Sequence, residues 1–273
     1  MQTYAVKNLK KGIEFLEQQF GVKWDWDAFW KNAEMYNESS RCMIEKWDVN
    51  CTEHPQVCGA ALALQREYEF MAAACMDKFM LRTDRRVTQM MLKGYEQDKA
   101  ANAPQPKYRC LVWACPAHYY TNFTYWTQHC WGVTCVNDME AMLSYQPITI
   151  GDKEQALADL VRCYEKMMMR SHTNGGYVNL LDECWKMCEK FHTNIVIMYD
   201  HVSCKNVGGL HGLFEDQARE RGIHLIWIPH DVMDPRTVSR REMREAFSQY
   251  MVTVLNEKPL DPTLLDYEDA LSW

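Results

Sequence analysis

Twelve cysteines and nine histidines supply most of the residue types from which this chain of 273 residues can build a reactive site. The most suggestive is Cys204, in the run Ile195-Val196-Ile197-Met198-Tyr199-Asp200-His201-Val202-Ser203-Cys204-Lys205-Asn206-Val207-Gly208-Gly209. Ile195 to Met198 reads as a buried strand, and Ser203-Cys204-Lys205 falls where the chain turns toward the next helix. A thiol beside a lysine and ahead of a helix N-terminus has its thiolate favoured, which suits a nucleophile or a metal ligand. Three further turns carry comparable groups: Cys115-Pro116-Ala117-His118, Asn137-Asp138-Met139-Glu140, and His230-Asp231-Val232-Met233-Asp234-Pro235-Arg236. If the strands ahead of these turns are parallel, all four turns share the carboxyl edge of one sheet, where open α/β sheets bind ligands. That edge would gather two cysteines, three histidines, several carboxylates, one lysine and one arginine.

Several chemistries compete for such an edge. A Cys–His nucleophile needs thiol and base within hydrogen-bond reach, yet no local acyl-transfer signature accompanies Cys204. Zinc held by Cys115, Cys204 and one of His118, His201 or His230 has suitable donors but no diagnostic spacing. An iron–sulfur cluster wants three or four thiolates, and this edge offers two. Against all three stands the plain alternative that Cys204 is an ordinary loop cysteine and Gly208-Gly209 a relaxed turn. Elsewhere Cys184 and Cys188 have helical spacing, and no Cys-x-x-Cys occurs.

The elements that must position these turns follow from periodicity. Val6, Leu9, Ile13, Leu16 and Phe20 recur at three- and four-residue steps before Gly21, which predicts one amphipathic helix. Asp25 or Asp27 caps a second, whose aromatic face carries Phe29, Trp30 and Tyr36. A third is expected over residues 60–80, with small and sulfur-containing residues at 72–76, and 82–98 continues helically with alternating charges that read as a solvated face. Ala101-Asn102-Ala103-Pro104-Gln105-Pro106 then interrupts the helical pattern. Beyond it, strands are expected at 108–114, 133–136, 194–199 and 223–228, the last ended by Pro229. Helices are expected at 119–129, 152–169, 176–191, 210–221 and 239–255, the final one opened by a capping box of Ser239 and Glu242. Strands alternating with helices of this length imply right-handed βαβ units. The expected architecture is α/β: an N-terminal helical segment (1–106), then a small doubly wound, mainly parallel four-stranded sheet flanked by helices (107–259, flavodoxin-like), then an acidic C-terminal tail (260–273).

Composition narrows the functional classes. Hydrophobic residues at 47% and charged residues at 25% are ordinary for a globular protein. A net charge of -7 and a pI near 5.7 leave no basic footprint for nucleic acid, the nearest thing being Arg240, Arg241 and Arg244 on one helix. No apolar run approaches the roughly 20 residues that span a bilayer, and the N-terminus lacks the apolar stretch of a signal peptide. The chain reads as cytoplasmic, with reduced thiols.

The order of these pieces resembles one known family. Ser203-Cys204-Lys205 after an apolar strand, a helix, Gly222-Ile223, a second apolar strand, then Asp231 and Asp234-Pro235-Arg236 is similar to the 2-hydroxyacyl-CoA dehydratase and benzoyl-CoA reductase family, of the 2-hydroxyglutaryl-CoA dehydratase D-component type. Upstream, Lys107-Tyr108-Arg109 entering a strand, then Pro116 and Tyr119-Tyr120-Thr121-Asn122-Phe123, resembles the approach to that family's second α/β domain, and the likeness runs from about residue 6 to about residue 256. The resemblance implies that Cys204 ligates a [4Fe-4S] cluster, with Ser203, Lys205, His118, Asp231 and Arg236 as substrate- or cluster-adjacent candidates. In the family the other two protein ligands lie in an α/β domain preceding the helical segment, so the chain resembles the back portion of a subunit, with residues 7–20 matching the inter-domain helix. Cys115 stands where the family carries small or polar residues. Family members work as two related subunits fed by an ATP-hydrolysing iron–sulfur activator; an electron reaching the acyl-CoA thioester gives a ketyl radical that expels water. The resemblance therefore implies a lyase component. Its alternatives are an ATP-dependent aryl-CoA or small-molecule reductase of the same family, a non-catalytic truncated or partner-binding subunit, and, from the residues alone, a zinc hydrolase.

Overall fold

A computed structural model describes residues 2–59, 61–65, 78–141, 146–166 and 168–266. The chain begins with α1 (Gln2–Phe20), α2 (Trp26–Asn50) and α3 (Lys78–Ala100). Then follow β1 (Tyr108–Trp113), α4 (Phe123–Trp131), β2 (Val133–Asp138), a 3-10 turn (Met139–Ala141), α5 (Lys153–Lys166) and α6 (Met168–Lys190). The last part holds β3 (Ile195–His201), the single turn α7 (Lys205–Gly208), α8 (His211–Arg221), β4 (His224–His230), α9 (Arg240–Thr253) and a 3-10 turn (Pro262–Leu264). Residues 72–76, Cys75 among them, and the tail after residue 266 lie outside the described residues.

Local chemistry explains the boundaries. Asp25, not Asp27, caps α2, its carboxylate accepting from the Ala28 amide at 2.9 Å. Ser239 and Glu242 form the reciprocal capping box at α9, which then buries Met243, Phe247 and Met251 at four-residue steps against the sheet. Each such side chain contributes about 1.5–3 kcal/mol by leaving water. Several boundaries differ from the periodicity. β4 runs through Pro229 to His230, because β4 is an edge strand and the missing proline N–H faces no neighbour. β3 likewise extends to His201, so His201 and His230 are paired strand-end residues and not loop residues. The helix expected from 119 starts only at Phe123, and α6 is kinked at Gly176, whose φ of +67° is open to glycine.

The sheet is entirely parallel, in the order β2-β1-β3-β4. Both faces are covered, as a parallel sheet requires. On one, Tyr199 meets Phe123 of α4, which also packs on Phe247 of α9. On the other, Trp227 meets Phe214 of α8, which in turn meets Trp185 of α6. The expected doubly wound α/β architecture is the one observed. In addition, α5 packs with α1 and α2 around a small core of Ala33, Ile148 and Ala156. On α1, Phe15, Leu16 and Phe20 remain exposed.

The helical part is tied to the sheet by polar clips. Asn50, at the end of α2 and fully buried, donates to Val57 O and Val136 O and accepts from the amides of Gln56 and Val57. Val136 is the extra residue of a bulge in β2, where the register passes from Cys110↔Cys135 to Leu111↔Asn137. Arg109 of β1 donates to the carbonyls of Asn50, Thr52 and Phe191. The charges of α3 are not all solvated: Asp84 forms a buried ion pair with Lys46 of α2 at 2.8 Å. Among the described residues no helix is long and apolar enough to cross a membrane.

Candidate functional site at the carboxyl edge of the sheet

The chain leaves β1 for β2 on one side and crosses to β3 on the other, so the topological switch lies between β1 and β3. Helices diverge from such a point and leave a crevice above the strand ends. A cavity of about 380 Å³ occupies it. Its walls are Trp113, Ala114 and Cys115 from the end of β1, Tyr199 and His201 from β3, and Cys204, Asn206 and Val207 from the following turn. Met139, Leu180 and Val232 complete it from three other segments. The lining is mostly apolar, the usual composition of a small-molecule or cofactor site. Ala114 enters the left-handed region at φ +64°, which costs a side-chain-bearing residue about 1–2 kcal/mol and swings Cys115 out of the strand direction.

Cys204 is half-buried and lines this cavity. Its amide donates to His201 O at 2.9 Å, and its carbonyl accepts from Gly208 at 3.1 Å. The amides of Gly208 and Gly209 are thus spent within the turn, on Cys204 O and Lys205 O, and neither is left for a ligand. A β-carbon on Gly209 would sit 3.0 Å from Lys205 O, which explains the small residue. The single turn α7 follows Cys204, and the helix expected at 210–221 begins after it as α8. Lys205 and Ser203 are exposed, and neither is among the cavity walls.

His201 is held from both sides. The Ser203 amide donates to its Nδ1 at 3.2 Å, with the Ser203 hydroxyl 2.9 Å from the same nitrogen. An Nδ1 that accepts leaves the proton of the neutral ring on Nε2, which faces Asp231 Oδ2 at 3.8 Å. Asp231 Oδ1 accepts from the amides of Met233 and Asp234, and these bonds hold its carboxyl below the usual carboxylate range. Asp234 forms a two-pronged pair with Arg236 and is held at about 2 by that guanidinium. Asp231 and Arg236 therefore shape the loop after β4, and Arg236 stands away from the cavity, exposed. His230, fully buried beside Tyr199 and His201, is pushed down to about 4, chiefly by burial. Its ring is neutral at pH 7.

His118 lies on the β1 loop, and its amide donates to Val232 O at 3.0 Å, joining the loops after β1 and β4. Its Nε2 is 3.8 Å from Cys115 Sγ. Cys115, His118 and Glu140 bring one ligand atom each to within 4.8 Å of one another. The sequence placed Glu140 on this edge but gave it no role; its partnership depends on the bulge in β2 and the turn after it, neither of which has a local sequence signal. Met139 and Leu180 were likewise illegible as cavity walls, since they arrive from a 3-10 turn and from α6.

A family model described as 2-hydroxyglutaryl-CoA dehydratase, D-component, matches residues 1–251. Among curated proteins, none matches the chain.

Proposed function

Because the chain belongs to the 2-hydroxyglutaryl-CoA dehydratase D-component family, we propose that it serves as one component of an iron–sulfur enzyme that removes water from a 2-hydroxyacyl-CoA. The observation that carries this reading is the position of Cys204, whose residue lines a largely apolar cavity of about 380 Å³ at the switch point of the sheet. A thiolate is the ligand iron–sulfur clusters take, and cluster potential responds to nearby charge and to exclusion of water. Trp113, Tyr199, Leu180 and Val207 supply dry walls, and exposed Lys205 sets a positive charge on the residue next to the ligand. These residues fit a [4Fe-4S] cluster held in part by Cys204. When bound, such a cluster supplies single electrons to the acyl-CoA thioester. The chain's own contribution is to fix the ligand through the His201 and Gly208 backbone bonds and to keep the cavity dry.

In this reading a related second subunit completes the enzyme and a separate ATP-hydrolysing iron–sulfur activator delivers the electron. The exposed Phe15, Leu16 and Phe20 on α1 give an apolar strip suited to such packing. The test is turnover of a 2-hydroxyacyl-CoA by the anaerobically assembled complex with activator, ATP and reductant. Cys204→Ser is expected to abolish it without lowering the thermal midpoint, and undiminished turnover would sink the assignment.

A further inference from the structure

We propose that Cys115, His118 and Glu140 form a divalent-metal site of the zinc class beside the same cavity, with Cys115 on its wall, separate from the role of Cys204. The three donors are a thiol, an imidazole and a carboxylate, each drawn from the set zinc accepts. A zinc ion bonded to sulfur at about 2.3 Å and to nitrogen at about 2.1 Å with tetrahedral angles sets those atoms about 3.6 Å apart. Cys115 Sγ and His118 Nε2 are 3.8 Å apart. A thiol hydrogen bond would account for that pair alone, but the third donor comes from a different element. Glu140 stands on the turn after β2, and its carboxylate lies within 4.8 Å of both other donors. Rotation of the side chain closes the remaining distance.

The frame behind the donors is fixed. The left-handed Ala114 aims Cys115, the His118 amide is anchored on Val232 O, and the Glu140 amide is anchored on Asp138 Oδ1 at 2.8 Å. Charge also balances: thiolate and carboxylate together neutralise a divalent cation. Three protein ligands leave a further position, as in zinc sites that act on a bound molecule. Cys115 and Met139, the neighbour of Glu140, line the cavity, so the ligand class for that position is water or an oxygen donor occupying the cavity.

The site is tested with the metal alone, on the full chain kept reduced. After dialysis against zinc and then metal-free buffer, the chain is expected to retain about one zinc. Cobalt(II) in its place should give a thiolate charge-transfer band together with the strong visible bands of four-coordination. Cys115→Ser and His118→Ala should each lose metal and band, and Glu140→Gln should weaken retention, while Cys204→Ser and Cys42→Ser retain both. Because the cobalt band of the wild-type chain already reports a thiolate ligand, the proposal does not depend on every variant folding. Absence of bound metal in the wild-type chain would overturn it, as would metal retained by Cys115→Ser and His118→Ala or lost with Cys204→Ser. Neither result bears on cluster binding, which is read from iron and sulfide.

Discussion

The pair between α2 and α3 permits a quantitative test of how the helical segment is held. Lys46 Nζ and Asp84 Oδ1 are 2.8 Å apart with both side chains 1% exposed, and the Ser39 hydroxyl donates to the other carboxylate oxygen. Two charges removed from water cost several kcal/mol each, and their attraction together with the serine bond offsets this only while both are present. Lys46→Met keeps the apolar stem but leaves the carboxylate without its counter-charge. Asp84→Leu does the converse. Each single variant should lose about 3–5 kcal/mol, whereas the double variant should lie within about 1 kcal/mol of wild type. The coupling in a double-mutant cycle is then on the order of 5 kcal/mol or more, far above the roughly 0.5 kcal/mol within which independent sites add. Urea unfolding followed by circular dichroism measures it, with an unchanged m-value certifying that the folded state is comparable. Additive single variants, or a loss below about 1 kcal/mol for Lys46→Met, would refute the buried pairing.

Two further perturbations address the sheet edge. His230 keeps a neutral ring down to about pH 4 when folded and takes a proton near 6.5 when unfolded, so its contribution is full above 6.5 and is lost progressively as the pH falls toward 4. The loss amounts to about 3 kcal/mol, with His201 as the neighbouring titratable group. In metal-free buffer His230→Leu should flatten that part of the stability–pH curve, and an unaltered curve would contradict the burial argument. Ala114→Gly should raise stability by up to about 1 kcal/mol, because release of the left-handed strain exceeds the chain entropy glycine adds. Thermal unfolding decides that case, and a lower midpoint would show that the φ of +64° carries no strain.

Much of the architecture was legible because the strong signals were local. The apolar runs from Cys110 and Ile195, the Ser239–Glu242 box and the helical steps of α1 each specify an element without reference to the rest of the chain. What escaped was decided at a distance. Pro229 reads as a terminator, yet the edge position of β4 makes its missing donor harmless and carries His230 into the strand. Asp84 reads as a surface charge because nothing in its own helix announces a partner 38 residues away. At the edge of the sheet the turn after β3 singled out Cys204, and the cavity lies there. The sequence could not show that Lys205 and Arg236 stand outside the cavity walls, or that Glu140 joins Cys115 and His118, since both depend on how three loops meet.

On the proposed reading Cys204 holds iron. The most direct measurement of this is iron and acid-labile sulfide in the anaerobically purified complex of this chain with its related subunit. The wild-type complex should contain about four iron and four sulfide for the cluster this chain serves. Cys204→Ser should lose them while Cys42→Ser, altered at a buried cysteine of α2, keeps them. Full iron and sulfide in Cys204→Ser, or equal loss from both variants, would contradict the account.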